Sequence, residues 1–291
     1  MTAPDRSSLT EAPPANPISP GEFKTLMDGL TPTPGPDVAV AVAVSGGADS
    51  MALVRLADAW AQSRGSRAVA LTVNHGLRPG ADAETAQVSR WMAKNHIAHE
   101  ILRWQGAKPK TGIQAAAREA RYALLCGWCR DHNIPTLLLA HHQGDQAETV
   151  LMRLNRGSGA DGLAAMASNV ERGGIQIVRP LLAVPKARLQ ATCAALNQKW
   201  IEDPSNRDPR YGRTHARNRL AALAKAGLDP AALADAAREF GVARAARDGA
   251  VGKLLTAAAT EFPEGYIVVN VRALADAPQA VAMAALSRIL C

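Results

Sequence analysis

The stretch Val38-Ala39-Val40-Ala41-Val42-Ala43-Val44-Ser45-Gly46-Gly47-Ala48-Asp49-Ser50 decides the fold. Its first seven residues are small and apolar without alternation, the pattern of a strand buried on both faces, as in a parallel sheet. The strand breaks into a polar, glycine-rich turn. A helix pattern follows at once, with Met51, Leu53, Val54, Leu56 and Ala57 apolar and Arg55 and Asp58 polar. Strand, glycine turn, helix is a layout that binds phosphate, because backbone N–H groups and a helix N-terminus converge on the anion. The turn lacks the Gly-Lys-Ser/Thr of a Walker loop and the third glycine of a dinucleotide fingerprint. Asp49 would repel phosphate by itself. It makes sense as a ligand of Mg²⁺, which favours carboxylate together with phosphate oxygens. The plain alternative is a tight turn in which Asp49 and Ser50 cap a helix.

Outward from this turn, strands and helices alternate. Strands are expected at Ala68–Val73, Ile97–Arg103, Thr136–Ala140 and Ile175–Arg179. Helices are expected at Ala83–Asn95, Thr111–His132, Gln146–Leu154 and Pro185–Asn197. Such alternation predicts an α/β fold with a doubly wound, mostly parallel sheet and ligands at the carboxyl ends of its strands. Upstream, Ser19-Pro20-Gly21-Glu22 reads as a capping box that opens a short helix with Phe23, Leu26, Met27 and Leu30 on one face. Residues 1–18 carry four prolines and read as a disordered tail. Residues 19–218 form the expected α/β domain. Residues 219–291, rich in Ala, Leu and Arg, form a smaller, mainly helical module, whose last helix reaches Cys291 without a stop signal, as in a chain that continues further.

Composition narrows the function classes. Of 291 residues, 47% are hydrophobic, which supports a folded core. No apolar run is long enough to span a bilayer, and no apolar signal core is present, so a cytoplasmic protein is expected. Four cysteines in a chain of this length do not make a disulfide framework. The net charge of +7 favours a polyanionic partner.

Candidate site residues cluster after the strands. His75 and Arg78, in Val73-Asn74-His75-Gly76-Leu77-Arg78-Pro79, contact nucleotide or RNA phosphate, or else form an ordinary polar loop. In His141-His142-Gln143-Gly144-Asp145-Gln146-Ala147-Glu148-Thr149 the spacing does not suit zinc. Asp145 either joins Asp49 on Mg²⁺ or caps the helix. Glu148, three residues on, shares its face and suits a cationic substrate or the helix dipole. Arg118 and Arg121 share a helix face and suit phosphate, or are simply solvated. Arg207, Arg210, Arg213 and Arg217, with Arg219, stand against only Asp203 and Asp208, with Tyr211 and His215 among them. That mixture suits RNA, or a basic linker. Cys126 and Cys129 form a CxxC inside the long helix, for which core packing is the favoured reading.

Ser45–Ser50 resembles the SGGxDS signature of the N-type ATP pyrophosphatases, the PP-loop family. Together with VNHGLRP, GIQAAAREARYALL, HHQGDQAET, LMRLNRGSG, RPLL and WIEDPSNRDPRYGR, in that order, residues 20–220 resemble the tRNA(Ile)-lysidine synthases. The resemblance implies ATP and Mg²⁺ as cofactors. It implies ligation of free L-lysine to position 2 of the wobble cytidine in the CAU anticodon of tRNA(Ile), through an adenylated cytidine, with release of pyrophosphate and AMP. On this basis Ser45, Gly46, Gly47, Ala48, Asp49, Ser50 and His75 are assigned to ATP, and Asp49 and Asp145 to Mg²⁺. Asp49, Asp145 and Glu148 are assigned to catalysis, Glu148 as the lysine-binding candidate. Arg78, Arg118, Arg121, Arg207, Arg210, Arg213 and Arg217 are assigned to tRNA. Two departures stand out. Gly144 replaces the family's usual Asp or Asn, and Arg213–Asn218 departs from its RNxIRH pattern. Two rivals remain. One is a 2-thiocytidine sulfurtransferase of the same fold, which typically has Lys where Ala48 stands and lacks the DPSN segment. The other is a catalytically silent tRNA-binding protein. Oligomeric state is left open, a homodimer included.

Overall fold

The computed structural model describes residues 15–30, 35–77, 79–106, 108–109, 111–202, 219–220, 222–224, 227 and 229–290. They divide into two compact units. One comprises residues 1–145 with 168–215, the other 146–167 with 216–291. The segment 146–167, expected with the α/β domain, groups with the C-terminal residues.

The first unit holds a six-stranded sheet in the order β3-β2-β1-β4-β6-β5. Its strands are β1 (Val40–Ala43), β2 (Ala68–Asn74), β3 (Ala98–Arg103), β4 (Thr136–Leu138), β5 (Asn169–Arg172) and β6 (Ile175–Val178). All neighbours pair in parallel except β5 with β6. Its helices are α1 (Pro20–Asp28), α2 (Ala48–Gln62), α3 (Ala81–Lys94), α4 (Ile113–Asp131) and α7 (Lys186–Ala195). Helix α5 (Gln143–Leu154) begins in this unit and continues into the second.

The composition of β1 follows from two-sided burial. Val40 and Val42 point into one core with Met51, Leu53, Val88, Met92, Leu181 and Leu189. Ala41 points into the other with Tyr122, Leu125, Cys126 and Cys129 of α4. Each fully buried Leu, Val or Met side chain contributes about 1.5–3 kcal/mol. Glycine or a polar residue in β1 would therefore cost one core or the other.

The chain winds from β1 outward to β3, then crosses to β4 on the other side of β1. That reversal is a topological switch point, where the loops after two adjacent strands part and open a crevice. The turns after β1 and β4 stand there.

Helix α1 starts as expected. Pro20 is its first residue, the Ser19 side chain accepts the Glu22 N–H, and Phe23 and Met27 are buried. Ahead of it, Ile18 is buried and its N–H donates to Thr192 Oγ1 at 2.9 Å. The chain is thus pinned inside the stretch expected to be a tail. A Glu22–Arg188 ion pair at 2.6 Å joins α1 to α7 and holds the Glu22 carboxyl below its usual range.

The second unit contains α6 (Ala160–Leu163), the long helix α8 (Pro230–Ala258), a hairpin of β7 (Ala259–Glu261) and β8 (Ile267–Val269), α9 (Val271–Ala275) and α10 (Gln279–Leu290). Val251, Leu274 and Ala285 form one small cluster of its core, with Leu254, Leu255 and Val269 against it, and Val150, Ala165 and Ala237 form another. Arg247 bridges Asp161 at 2.7 Å and Asp248 at 3.4 Å.

Candidate functional site

The turn after β1 is held by its own serines. Ser50 Oγ accepts the Ser45 N–H at 3.1 Å and donates to the Gly47 carbonyl at 3.0 Å. The two hydroxyls lie 3.2 Å apart. Gly46 has φ +87°, and a Cβ there would meet Ile201 Cδ1 at 2.9 Å and Val88 Cγ2 at 3.0 Å. Glycine is required on both counts. Gly47 is the N-cap of α2 and supplies no side chain, so the backbone at the head of this helix faces the turn. Asp49 and Ser50 do not cap α2; both lie within its first turn.

Asp49 is brought to the turn after β4. Its Oδ2 lies 3.8 Å from His142 Nε2 and 4.0 Å from Lys186 Nζ, at the first residue of α7. His142 Nε2 also lies 3.7 Å from Asp145 Oδ2. Asp49 and Asp145, expected to act together, therefore flank one imidazole. His142 and Asp145 also cap α5 reciprocally. The Asp145 carboxylate accepts the His142 N–H at 3.0 Å, and His142 Nδ1 accepts the Gly144 N–H at 3.0 Å. Both side chains are buried, whereas Asp49 is 27% exposed and open to ligand. A Cβ on Gly144 would fall 2.8 Å from His142 Cε1 and 3.1 Å from Nδ1.

Among the described residues no group of three or more His, Cys, Asp and Glu is set to hold a metal alone. Mg²⁺ is typically bound by only one or two carboxylates, together with phosphate oxygens and water. Asp49 and Asp145 fit that role.

Lys186 and His142 were missed from the sequence. The first lies just past Pro185 at a helix start, and the second stood in a noted His pair without a role. Lys186 brings a point positive charge to the turn after β1. Behind the site, Cys193 Sγ donates to the Ala48 carbonyl at 3.4 Å. Burial, then the Asp49 charge, pushes its thiol up to about 12, so it stays protonated.

The remaining sequence candidates separate into groups. His75 gathers with Arg121, whose Nη2 is 3.4 Å from His75 Nε2, and with Trp104, edge-on at 5.8 Å. Lys108 Nζ stands 4.3 Å over the Trp104 ring. Burial, then Arg121 and Lys108, pulls His75 down to about 4, leaving it neutral near pH 7. Arg118 lies over the Tyr122 ring at 5.1 Å, with Arg172 at 4.6 Å. Glu148 is buried on α5, one turn beyond Asp145. Arg179, in the RPLL segment, is buried and donates from Nε to His141 Nδ1 at 3.2 Å. Cys126 and Cys129 are buried in the core face of α4, and burial raises both thiols, Cys129 to about 12. Arg78, Arg207, Arg210, Arg213 and Arg217 lie outside the described residues.

A family model described as a PP-loop domain matches residues 22–224. A tRNA(Ile)-lysidine synthase of Rhodopseudomonas palustris is 49% identical over 77% of this chain and 64% of its own length. That of Bradyrhizobium diazoefficiens is 47% identical over 85% and 66% respectively. That of Methylobacterium nodulans is 41% identical over 97% and 82%. The chain thus spans about two thirds of the first two relatives. Among solved structures, the U34-tRNA thiolase NcsA from Methanococcus maripaludis with its [4Fe-4S] cluster is similar, with a TM-score of 0.63 and 16% identity over 76% of each chain. That likeness speaks for the fold alone. Among the described residues no helix is long and apolar enough to cross a membrane.

Proposed function

The chain belongs to the PP-loop family and, within it, to the tRNA(Ile)-lysidine synthases; from that premise we propose that it ligates L-lysine to the wobble cytidine of the CAU anticodon in tRNA(Ile), in the cytoplasm and at the expense of ATP. The observation that carries the reading is the meeting of Asp49 and Asp145 at the switch point, beside the serine-braced turn.

In the first step the cytosine O2 attacks the α-phosphorus of ATP and pyrophosphate leaves. The turn Ser45–Ser50 and the head of α2 receive the pyrophosphate, and Lys186 adds positive charge. Asp49 and Asp145 would hold Mg²⁺, which would supply positive charge against the phosphate oxygens. In the second step the lysine amine attacks C2 of the activated cytosine, AMP departs, and the amine proton passes to solvent. No protein nucleophile is required. Glu148 is the candidate carboxylate for the cationic substrate, and Arg118 and Arg121 are candidates for tRNA phosphates.

The test is incubation with ATP, labelled lysine and tRNA(Ile) bearing CAU. Lysine incorporation with stoichiometric pyrophosphate release is expected. Asp49→Asn should lower kcat about 100-fold or more while changing tRNA affinity less than about threefold. RNA binding by the wild-type protein without pyrophosphate release would defeat the reading in favour of a silent tRNA-binding protein. The sulfurtransferase rival lacks support from the close relatives, and its CxxC lies in the core of α4.

A further inference from the structure

Gly144 and His142 form a linked pair at the head of α5. The His142 side chain is 6% exposed, and its ring sits where a Cβ on residue 144 would intrude at 2.8–3.1 Å. Gly144 does not have the positive φ that would itself demand glycine. What its missing side chain provides is room for the imidazole. The Gly144 N–H then donates to Nδ1. An Nδ1 that accepts a hydrogen bond carries no proton, so the ring N–H is on Nε2. Nε2 is the atom within 4 Å of both Asp49 and Asp145.

We propose that Gly144 and His142 act as one positioning device for the two carboxylates. The gap at 144 admits the ring, the Gly144 N–H fixes its tautomer, and the Nε2–H is presented between Asp49 and Asp145. Carboxylates that hold a metal keep their orientation through polar groups behind them, here a ring nitrogen 3.8 Å from Asp49 Oδ2 and 3.7 Å from Asp145 Oδ2, and removing such a group typically costs 10–100-fold in metal affinity. Gly144 is thus the residue that lets a histidine do this work. The inference rests on the nucleotide site proposed above.

The experiment uses the full chain with ¹⁵N-labelled histidine and the variants Gly144→Ala, His142→Ala, His142→Gln and Gly144→Ala/His142→Ala. Alanine is the better helix former, so Gly144→Ala should fold. Two quantities are read: the ring ¹⁵N signals of His142 without nucleotide, and Mg²⁺ affinity by calorimetry with a non-hydrolysable ATP analogue. The wild-type ring should show protonated Nε2 and bare Nδ1, and Gly144→Ala should lose that signature. Gly144→Ala and His142→Ala should each weaken Mg²⁺ about 10–100-fold. The double variant should be no worse than either single one, since the two act as a unit. His142→Gln, which keeps an N–H donor at the same reach, should recover part of the loss. A wild-type ring protonated on Nδ1, an unchanged signature in Gly144→Ala, or losses that multiply in the double variant would overturn the proposal. The ring signal needs no ATP, so it tests this pair even if the lysine-ligation assay fails. Normal ligation with unchanged Mg²⁺ affinity in all variants would overturn the pair alone.

Discussion

Replacing Gly46 by alanine should unfold the nucleotide turn, and replacing Gly47 should not. At Gly46 the backbone is left-handed with φ +87°, which costs an alanine about 1–2 kcal/mol. The new methyl would also stand 2.9 Å from Ile201 Cδ1 and 3.0 Å from Val88 Cγ2. Ile201 can yield at its flexible tip, but Val88 is a stiff, buried β-branched residue on α3. Overpacking of this kind costs about 1–3 kcal/mol, so the total is about 2–5 kcal/mol. For a domain of this size each kcal/mol lowers the melting midpoint about 2–4 °C, so a drop of about 10 °C is expected. Gly47 has φ −75°, and a Cβ there meets only Ser45 Oγ at 3.7 Å. Its alanine variant should lose no more than about 1 kcal/mol, the usual cost of an N-cap change. It should still lose ATP affinity, because the methyl enters the space a phosphate must approach. The assay is thermal and urea unfolding of both variants beside ATP titration. A Gly46→Ala protein as stable as wild type, or equal destabilisation by both variants, would refute the reasoning.

Two further outcomes are expected. His75 titrates near 4 in the folded protein against 6.5 in the unfolded chain. The unfolded chain therefore binds the proton first, and stability falls as pH drops from 6.5 toward 4. For a partly buried ring the screened effect is about 1 kcal/mol. His75→Gln should remove this part of the pH dependence in urea midpoints at pH 7 and 4.5, and an unchanged slope would contradict the burial assigned to the ring. The pair Cys126→Ala/Cys129→Ala should lose about 1 kcal/mol per buried sulfur yet ligate lysine at the wild-type rate. Loss of turnover with the fold intact would revive a sulfur-transfer role.

Where side chains were packed on one period, the sequence was enough. The unbroken apolar run of β1 announced two cores, and Ser19-Pro20 announced the start of α1. Strand β5 was missed because Val170 is exposed and Glu171 and Arg172 are polar, so this edge strand has no apolar period. Its one signal was Gly173-Gly174, whose φ of +58° and +78° make the hairpin turn to β6. Strand β7 is likewise exposed and short. Helix α5 begins at Gln143 rather than Gln146, because His142 and Asp145 cap it from outside the apolar pattern. The nearness of Asp49 and Asp145, each within 4 Å of the His142 ring, was legible because both follow strands that a doubly wound sheet sets side by side. The place of His142 was not, since nothing in the sequence says that a missing methyl at 144 is filled by a ring two residues back. The arginines of the 203–218 stretch lie outside the described residues.

Strand β1 has a hydrogen-bonded neighbour on each side and a core on each face. Such a strand belongs to the last cooperative unit of a domain to open. The nucleotide turn grows directly from it and is braced by its own serines, so its N–H groups keep their spacing before any ligand arrives. Binding ATP then pays little ordering entropy at the phosphate end. Polar, exposed β5 lies at the far edge of the same sheet, four strands from β2, and belongs to the part that frays first. Local breathing at that edge can come and go without disturbing the geometry of the cradle.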